Sequence, residues 1–163
     1  MLARLKGRDA GEGAAAAAEP EPEPEPELAP PAEGSYQLFV HVIGATKLAA
    51  RDSTGESDPV VKCTLLSTGQ RQITETRNKT LSPIFEESLT FDFEIDEPGE
   101  LLAAGFAAEV WDADALADDL IGAITLDLGR VWNAPSHRLL RRWFALMDDT
   151  SQEHEGIQGY LQM

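Results

Sequence analysis

The chain has 163 residues, 42% of them hydrophobic, which suits one domain with a true core. Its formal net charge is -16 and its pI is near 4.4, so nucleic acid, which needs clustered Lys and Arg for phosphate contacts, is excluded as a partner. One cysteine, Cys63, rules out an intrachain disulfide and is compatible with a reducing compartment.

Residues 1–34 read as a disordered Ala/Glu/Pro-rich acidic linker. Alternating Glu and Pro from Glu19 to Pro26 favour an extended, self-repelling chain, and the alanine run Ala14 to Ala18 is too short for a signal-peptide core. No stretch approaches the roughly 18 apolar residues of a membrane span. From residue 35 to 163 the pattern becomes short β-like runs separated by turn signals. The first is Tyr36 to Ile43, with Leu38, Val40 and Val42 on alternate positions. Val60 to Leu66, Arg71 to Thr76 and Ser88 to Ile95 follow, then Phe106 to Trp111, Leu120 to Leu126, Arg142 to Leu146 and Gly159 to Met163. Eight such runs predict an all-β, eight-stranded antiparallel β-sandwich. Helix is limited to single turns near Pro98 to Ala103 and Pro135 to Leu140. The last strand ends at Met163 with no tail, so the sequence reads as a piece of a longer protein.

Two acidic segments directly follow strand-like runs. The first holds Asp52 and Asp58, with Gly55 allowing a turn and Pro59 fixing the backbone beyond. The second holds Asp112, Asp114, Asp118 and Asp119. Asp112 and Asp114 are two apart and point the same way in an extended chain. Loops at one end of a sandwich cluster in space, so the two segments would form one cup of carboxylates. Like charges repel, and a hard divalent cation compensates them; Ca2+ takes six to eight oxygen ligands of this kind.

Three motifs in order, Asp52…Gly55…Ser57-Asp58-Pro59-Val60-Val61-Lys62, Thr80-Leu81-Ser82-Pro83-Ile84-Phe85-Glu86-Glu87 and Trp111-Asp112-Ala113-Asp114…Asp119-Leu120-Ile121-Gly122, resemble the C2 domain. That family is the Ca2+- and phospholipid-binding sandwich. Pro98-Gly99-Glu100-Leu101-Leu102, Asp127 to Trp132, Pro135-Ser136-His137 and Leu140 to Leu146 are most similar to the second C2 domain of ferlins, membrane-fusion proteins with many such domains. The resemblance implies the permuted, ferlin- and phospholipase-like topology, in which the strand before the first acidic loop is the first strand. It implies Asp52, Asp58, Asp112, Asp114 and Asp119 as metal ligands, with the backbone carbonyls of Arg51 and Trp111 completing the shell. The second acidic loop is one residue shorter than is usual in the family, so Asp118 and Asp119 are alternatives for the last ligand.

The expected function is a non-enzymatic, calcium-dependent phospholipid-binding module. It would dock its parent on anionic membranes from the cytoplasm in vesicle fusion or membrane trafficking. The alternative is a calcium-independent scaffold that binds protein partners. Loop tips Leu48-Ala49-Ala50 and Ala115-Leu116-Ala117 offer little to insert into lipid. Lys62, Arg71, Arg77 and Lys79 stand as a sparse phosphoinositide patch or a solvated strand face. Cys63 reads as a buried small residue. Trp111, Trp132 and Trp143 read as core, and Glu86 and Glu87 as structural. Arg138, Arg141 and Arg142 form the only local basic cluster.

Overall fold

The computed structural model describes residues 29–50, 55–97, 99–113, 118–150 and 156–163. Eight strands run in the order β1 (Gly34–Thr46), β2 (Pro59–Leu65), β3 (Gln70–Ile73), β4 (Ile84–Ile95), β5 (Gly105–Asp112), β6 (Asp119–Asp127), β7 (Trp143–Met147) and β8 (Ile157–Gln162). The sheet order is β3-β2-β5-β6-β7-β8-β1-β4, and every pairing is antiparallel. β6 meets β7 through one pair, Ala123 with Met147. The sheet therefore folds at that seam into two halves, β3-β2-β5-β6 and β7-β8-β1-β4. The permuted topology expected from sequence is present, with the acidic connection after the first strand and the last strand beside it.

Alternation explains the core. On β5, Phe106, Ala108, Val110 and Asp112 are buried while the residues between them are half-buried. On β4, Leu89, Phe91, Phe93 and Ile95 form the same stripe from the other half, and Phe91 meets Phe106 edge to face at 5.8 Å. A one-residue slip would send either stripe to solvent, so burial fixes the register. The expected turn near Pro98 appears as a short helix α1 (Glu100–Ala103), and that near Pro135 as a 3-10 turn (Pro135–His137). A second short helix, α2 (Leu128–Trp132), was not anticipated. Its Leu128 enters the core, and its Gly129 packs so closely on α1 that a Cβ there would meet the Leu102 carbonyl oxygen at 3.0 Å.

Adjacent strands alternate in direction, so the β1–β2, β3–β4, β5–β6 and β7–β8 connections all lie at one end of the sandwich. Three details differ from the sequence expectation. Arg71 to Thr76 shortens to β3 because Thr74 turns inward and its hydroxyl accepts the Val61 N–H at 3.0 Å. Leu48 is buried in the core rather than offered at a tip. Trp143 is 51% exposed, on the outward row of β7, rather than core. The linker residues 1–28, and the tip residues Ala115, Leu116 and Ala117, lie outside the described residues.

Candidate metal centre

The site is built on the top rung of β2, β5 and β6. Pro59 pairs with Asp112, and Asp112 pairs with Asp119. Residues opposite each other in an antiparallel ladder share a face. Asp112 continues the inward row of Phe106, Ala108 and Val110, so its carboxylate caps the core stripe and is only 1% exposed. Asp119, its partner on the rung, is solvent-exposed at the start of β6.

Asp112 Oδ1 accepts the Asp58 N–H at 2.6 Å, and Asp58 in turn offers its carbonyl to the Ala113 N–H at 3.0 Å. These two bonds hold the end of the first acidic segment against the start of the second. Asp58 Oδ1 accepts the Lys79 N–H at 2.6 Å, drawing in the β3–β4 connection as well. Asp112 Oδ2 is buried and has no hydrogen-bond partner among the described residues. An unpartnered anionic oxygen is costly to bury, by about 1–3 kcal/mol or more. Asp112 Oδ2 is a hard oxygen donor of the kind Ca2+ takes, so its chemistry fits that ion.

The structure thus brings Asp58 and Asp112 into one hydrogen-bonded unit and sets Asp119 across from Asp112. Asp52 and Asp114, with the Arg51 carbonyl, lie outside the described residues. Among the described residues, no group of three or more His, Cys, Asp or Glu side chains is gathered closely enough to hold a metal. Asp118 faces elsewhere: its Oδ2 accepts from Lys62 Nζ at 2.6 Å. Lys62 also lies 4.4 Å from the centre of the Trp111 ring and sits opposite Glu109 on the outward face.

Three of the four basic residues of the sparse patch are likewise engaged by carboxylates. Arg71 pairs with Glu109 at 3.4 Å, Arg77 with Glu75 and Glu87 at 3.0 Å each, and Lys62 with Asp118. Arg77 also donates to the carbonyls of Ile84 and Phe85. Glu87 accepts the Glu75 N–H besides, and Glu86 accepts from or pairs with His41 at 2.9 Å, so both glutamates are structural. Cys63 is fully buried, and burial, with Glu109 nearby, pushes its thiol up to about 12. Asp148 lies buried just past β7, at the same end of the sandwich, and its Oδ1 accepts the N–H and hydroxyl of Thr150. In the sequence it shows as the Asp148-Asp149-Thr150 turn directly after a strand.

A family model described as "C2 domain" matches residues 36–146. The chain belongs to the C2 domain family. Synaptotagmin-3 of Rattus norvegicus is 40% identical over 96 residues, 58% of this chain and 16% of that protein. Ras GTPase-activating protein 4 of Mus musculus is 30% identical over 131 residues, 80% of this chain and 15% of that protein. This C2 domain therefore spans about a sixth of the length of these relatives. The solved structure of the paired C2 domains of extended-synaptotagmin 2 with calcium bound superposes with a TM-score of 0.60 at 26% identity, covering 77% of this chain and 43% of that one. No helix among the described residues is long and apolar enough to cross a membrane.

Proposed function

We propose that this C2 domain is a calcium-dependent phospholipid-binding module that docks its parent protein on anionic membranes. The observation that carries this reading is Asp112: a buried carboxylate with one oxygen tied to Asp58 and the other unpartnered, at the end of the sandwich where the acidic segments converge. Asp52, Asp58, Asp112, Asp114 and Asp119 would hold Ca2+. Asp119 is preferred to Asp118 because it shares the Asp112 rung, whereas Asp118 is engaged by Lys62 on the opposite face.

Without the cation, the chain's negative charge repels an anionic surface. When bound, Ca2+ supplies positive charge and open coordination positions for lipid phosphate or carboxylate oxygens. Asp58 and Asp112 hold the two segments in register for that event through the 2.6 Å bond between them. The ion pairing of Lys62, Arg71 and Arg77 leaves little for a calcium-independent phosphoinositide route. The motif set within residues 98–146 supports a ferlin-like parent acting in vesicle fusion or membrane trafficking, with the domain peripheral on the cytoplasmic side. The domain acts by binding and not by catalysis, since no nucleophile–base pair is present in its sequence motifs.

Calorimetric titration with Ca2+ tests the proposal. Wild type is expected to release or take up heat saturably, and an Asp112→Asn, Asp114→Asn double variant to lose it. Equal uptake by both would refute the ligand set.

A further inference from the structure

The connection between β3 and β4 brings no carboxylate to the end of the sandwich where the acidic segments converge: residues 77–83 contain no Asp or Glu. It is nevertheless bonded to residues on both sides of the first acidic segment. On one side, the Ala45 and Leu48 N–H groups donate to the carbonyls of Pro83 and Leu81 at 2.9 and 3.1 Å. On the other, the Arg77 and Thr80 N–H groups donate to the carbonyls of Pro59 and Ser57 at 2.9 and 2.8 Å, and the Lys79 N–H reaches Asp58 Oδ1 at 2.6 Å. Residues 77–83 thus form a strap laid between the end of β1 and the start of β2.

One side chain fastens the two ends of that strap. Arg77 Nε donates to the Ile84 carbonyl at 2.9 Å and Nη2 to the Phe85 carbonyl at 3.1 Å, so the guanidinium of the strap's first residue grips the backbone just past its last. Glu75 and Glu87 each hold the same guanidinium at 3.0 Å. A planar fork makes such a set of bonds in one geometry, which an ammonium does not reproduce. Within the loop so closed, Lys79 has a φ of 54°. Left-handed backbone is disfavoured for a residue with a side chain and persists where the surroundings fix it.

We infer that Arg77 is a positioning residue for calcium. It closes the strap into the turn that presents the Lys79 N–H to Asp58, and a carboxylate pinned through one oxygen offers the other to a cation in a fixed orientation. Arg77 acts through Lys79 and Asp58 and does not meet the cation. Its own charge, which would repel Ca2+, is matched by Glu75 and Glu87. This role rests on the calcium reading of Asp58.

The test is calorimetric titration of the full chain with Ca2+, with thermal unfolding in EDTA confirming that each variant folds. Arg77→Lys keeps a charge between Glu75 and Glu87, and so spares the fold, but lacks the fork. It is expected to weaken Ca2+ binding by about ten-fold or more, the range for losing a group that orients a metal ligand, and Arg77→Ala comparably. Arg71→Ala, which removes an exposed guanidinium paired with Glu109, is expected to bind within about two-fold of wild type. In an Asp58→Ala background, Arg77→Lys should cost no more than about two-fold further, because the ligand it orients is gone. In EDTA, amide exchange at Lys79 and Thr80 should quicken in Arg77→Lys while that at Phe91 and Val110 in the core stays slow. Wild-type affinity in both Arg77 variants, or losses that simply add in the double variant, would overturn the assignment and leave the calcium reading intact. A wild type that takes up no Ca2+ would refute that reading, and the assignment with it.

Discussion

Replacing Asp112 with asparagine separates the two roles of its carboxylate. In chelator, the change exchanges a charge-assisted acceptor of the Asp58 N–H for a neutral one, at a cost of about 1 kcal/mol. It also exchanges a buried, unpartnered anionic oxygen for an unpartnered but neutral amide group, and relief of the charge, the costlier part of that burial, is a gain of about 1–3 kcal/mol. The variant should therefore be as stable as wild type in chelator, or more stable by up to about 2 kcal/mol. Saturating Ca2+ reverses the order. Ligand at about 100 times its Kd stabilises the native state by roughly 2.7 kcal/mol. For a domain of this size that raises Tm by about 10 °C, taking about 3–6 °C per kcal/mol. The assay is thermal unfolding of both chains with EDTA and with Ca2+. Wild type should gain the full shift and Asp112→Asn little of it. A variant that loses more than about 2 kcal/mol in EDTA while keeping the whole calcium shift would show that Asp112 is a structural acid and not a ligand.

Further predictions follow from the same geometry. Asp119→Asn should weaken Ca2+ binding by about ten-fold or more, worth about 1.4 kcal/mol, while Asp118→Asn should leave it within about two-fold and instead release Lys62 from its 2.6 Å pair; calorimetry of the two variants reads the difference. Gly122→Ala would place a methyl 2.9 Å from Leu146 Cβ and 3.3 Å from Gln158 Cβ, so urea unfolding should show a loss of about 1–3 kcal/mol with calcium binding otherwise retained. The Cys63 thiol is held protonated in the folded state up to about 12, from an ordinary value of 9.0. The folded chain therefore binds the more protons in that window, so stability present below pH 9 is lost as pH rises toward 12. Cys63→Ala, though less stable at neutral pH through its cavity, should show a shallower alkaline decline in unfolding experiments.

Much of the fold was legible because burial writes itself as alternation. Leu89, Phe91, Phe93 and Ile95 occupy every second position and all face the core. The convergence of Asp58 with the second acidic segment followed from strand direction alone, since connections from alternating strands share one end. What was not legible depends on partners distant in sequence. Asp118 and Asp119 are neighbours with the same side chain, and only the β5–β6 register with Lys62 across the sheet sends them to opposite faces. Leu48 looked like a tip because its neighbours are small, yet it packs against Gly159 of the last strand, so closely that a Cβ there would meet its Cδ2 at 2.9 Å. Trp143 looked like core because tryptophan usually is; it lies on the outward row of a strand whose inward row is Phe144 and Leu146.

The central claim is that calcium converts an acidic, membrane-repelled domain into a membrane-docked one. Co-sedimentation with liposomes containing phosphatidylserine, with and without Ca2+, tests it most directly. The account predicts the chain in the supernatant in EDTA, in the pellet with Ca2+, and back in the supernatant for the Asp112→Asn, Asp114→Asn variant or for liposomes of phosphatidylcholine alone. Equal pelleting in EDTA and in Ca2+, or none in either while calorimetry records calcium uptake, would contradict it.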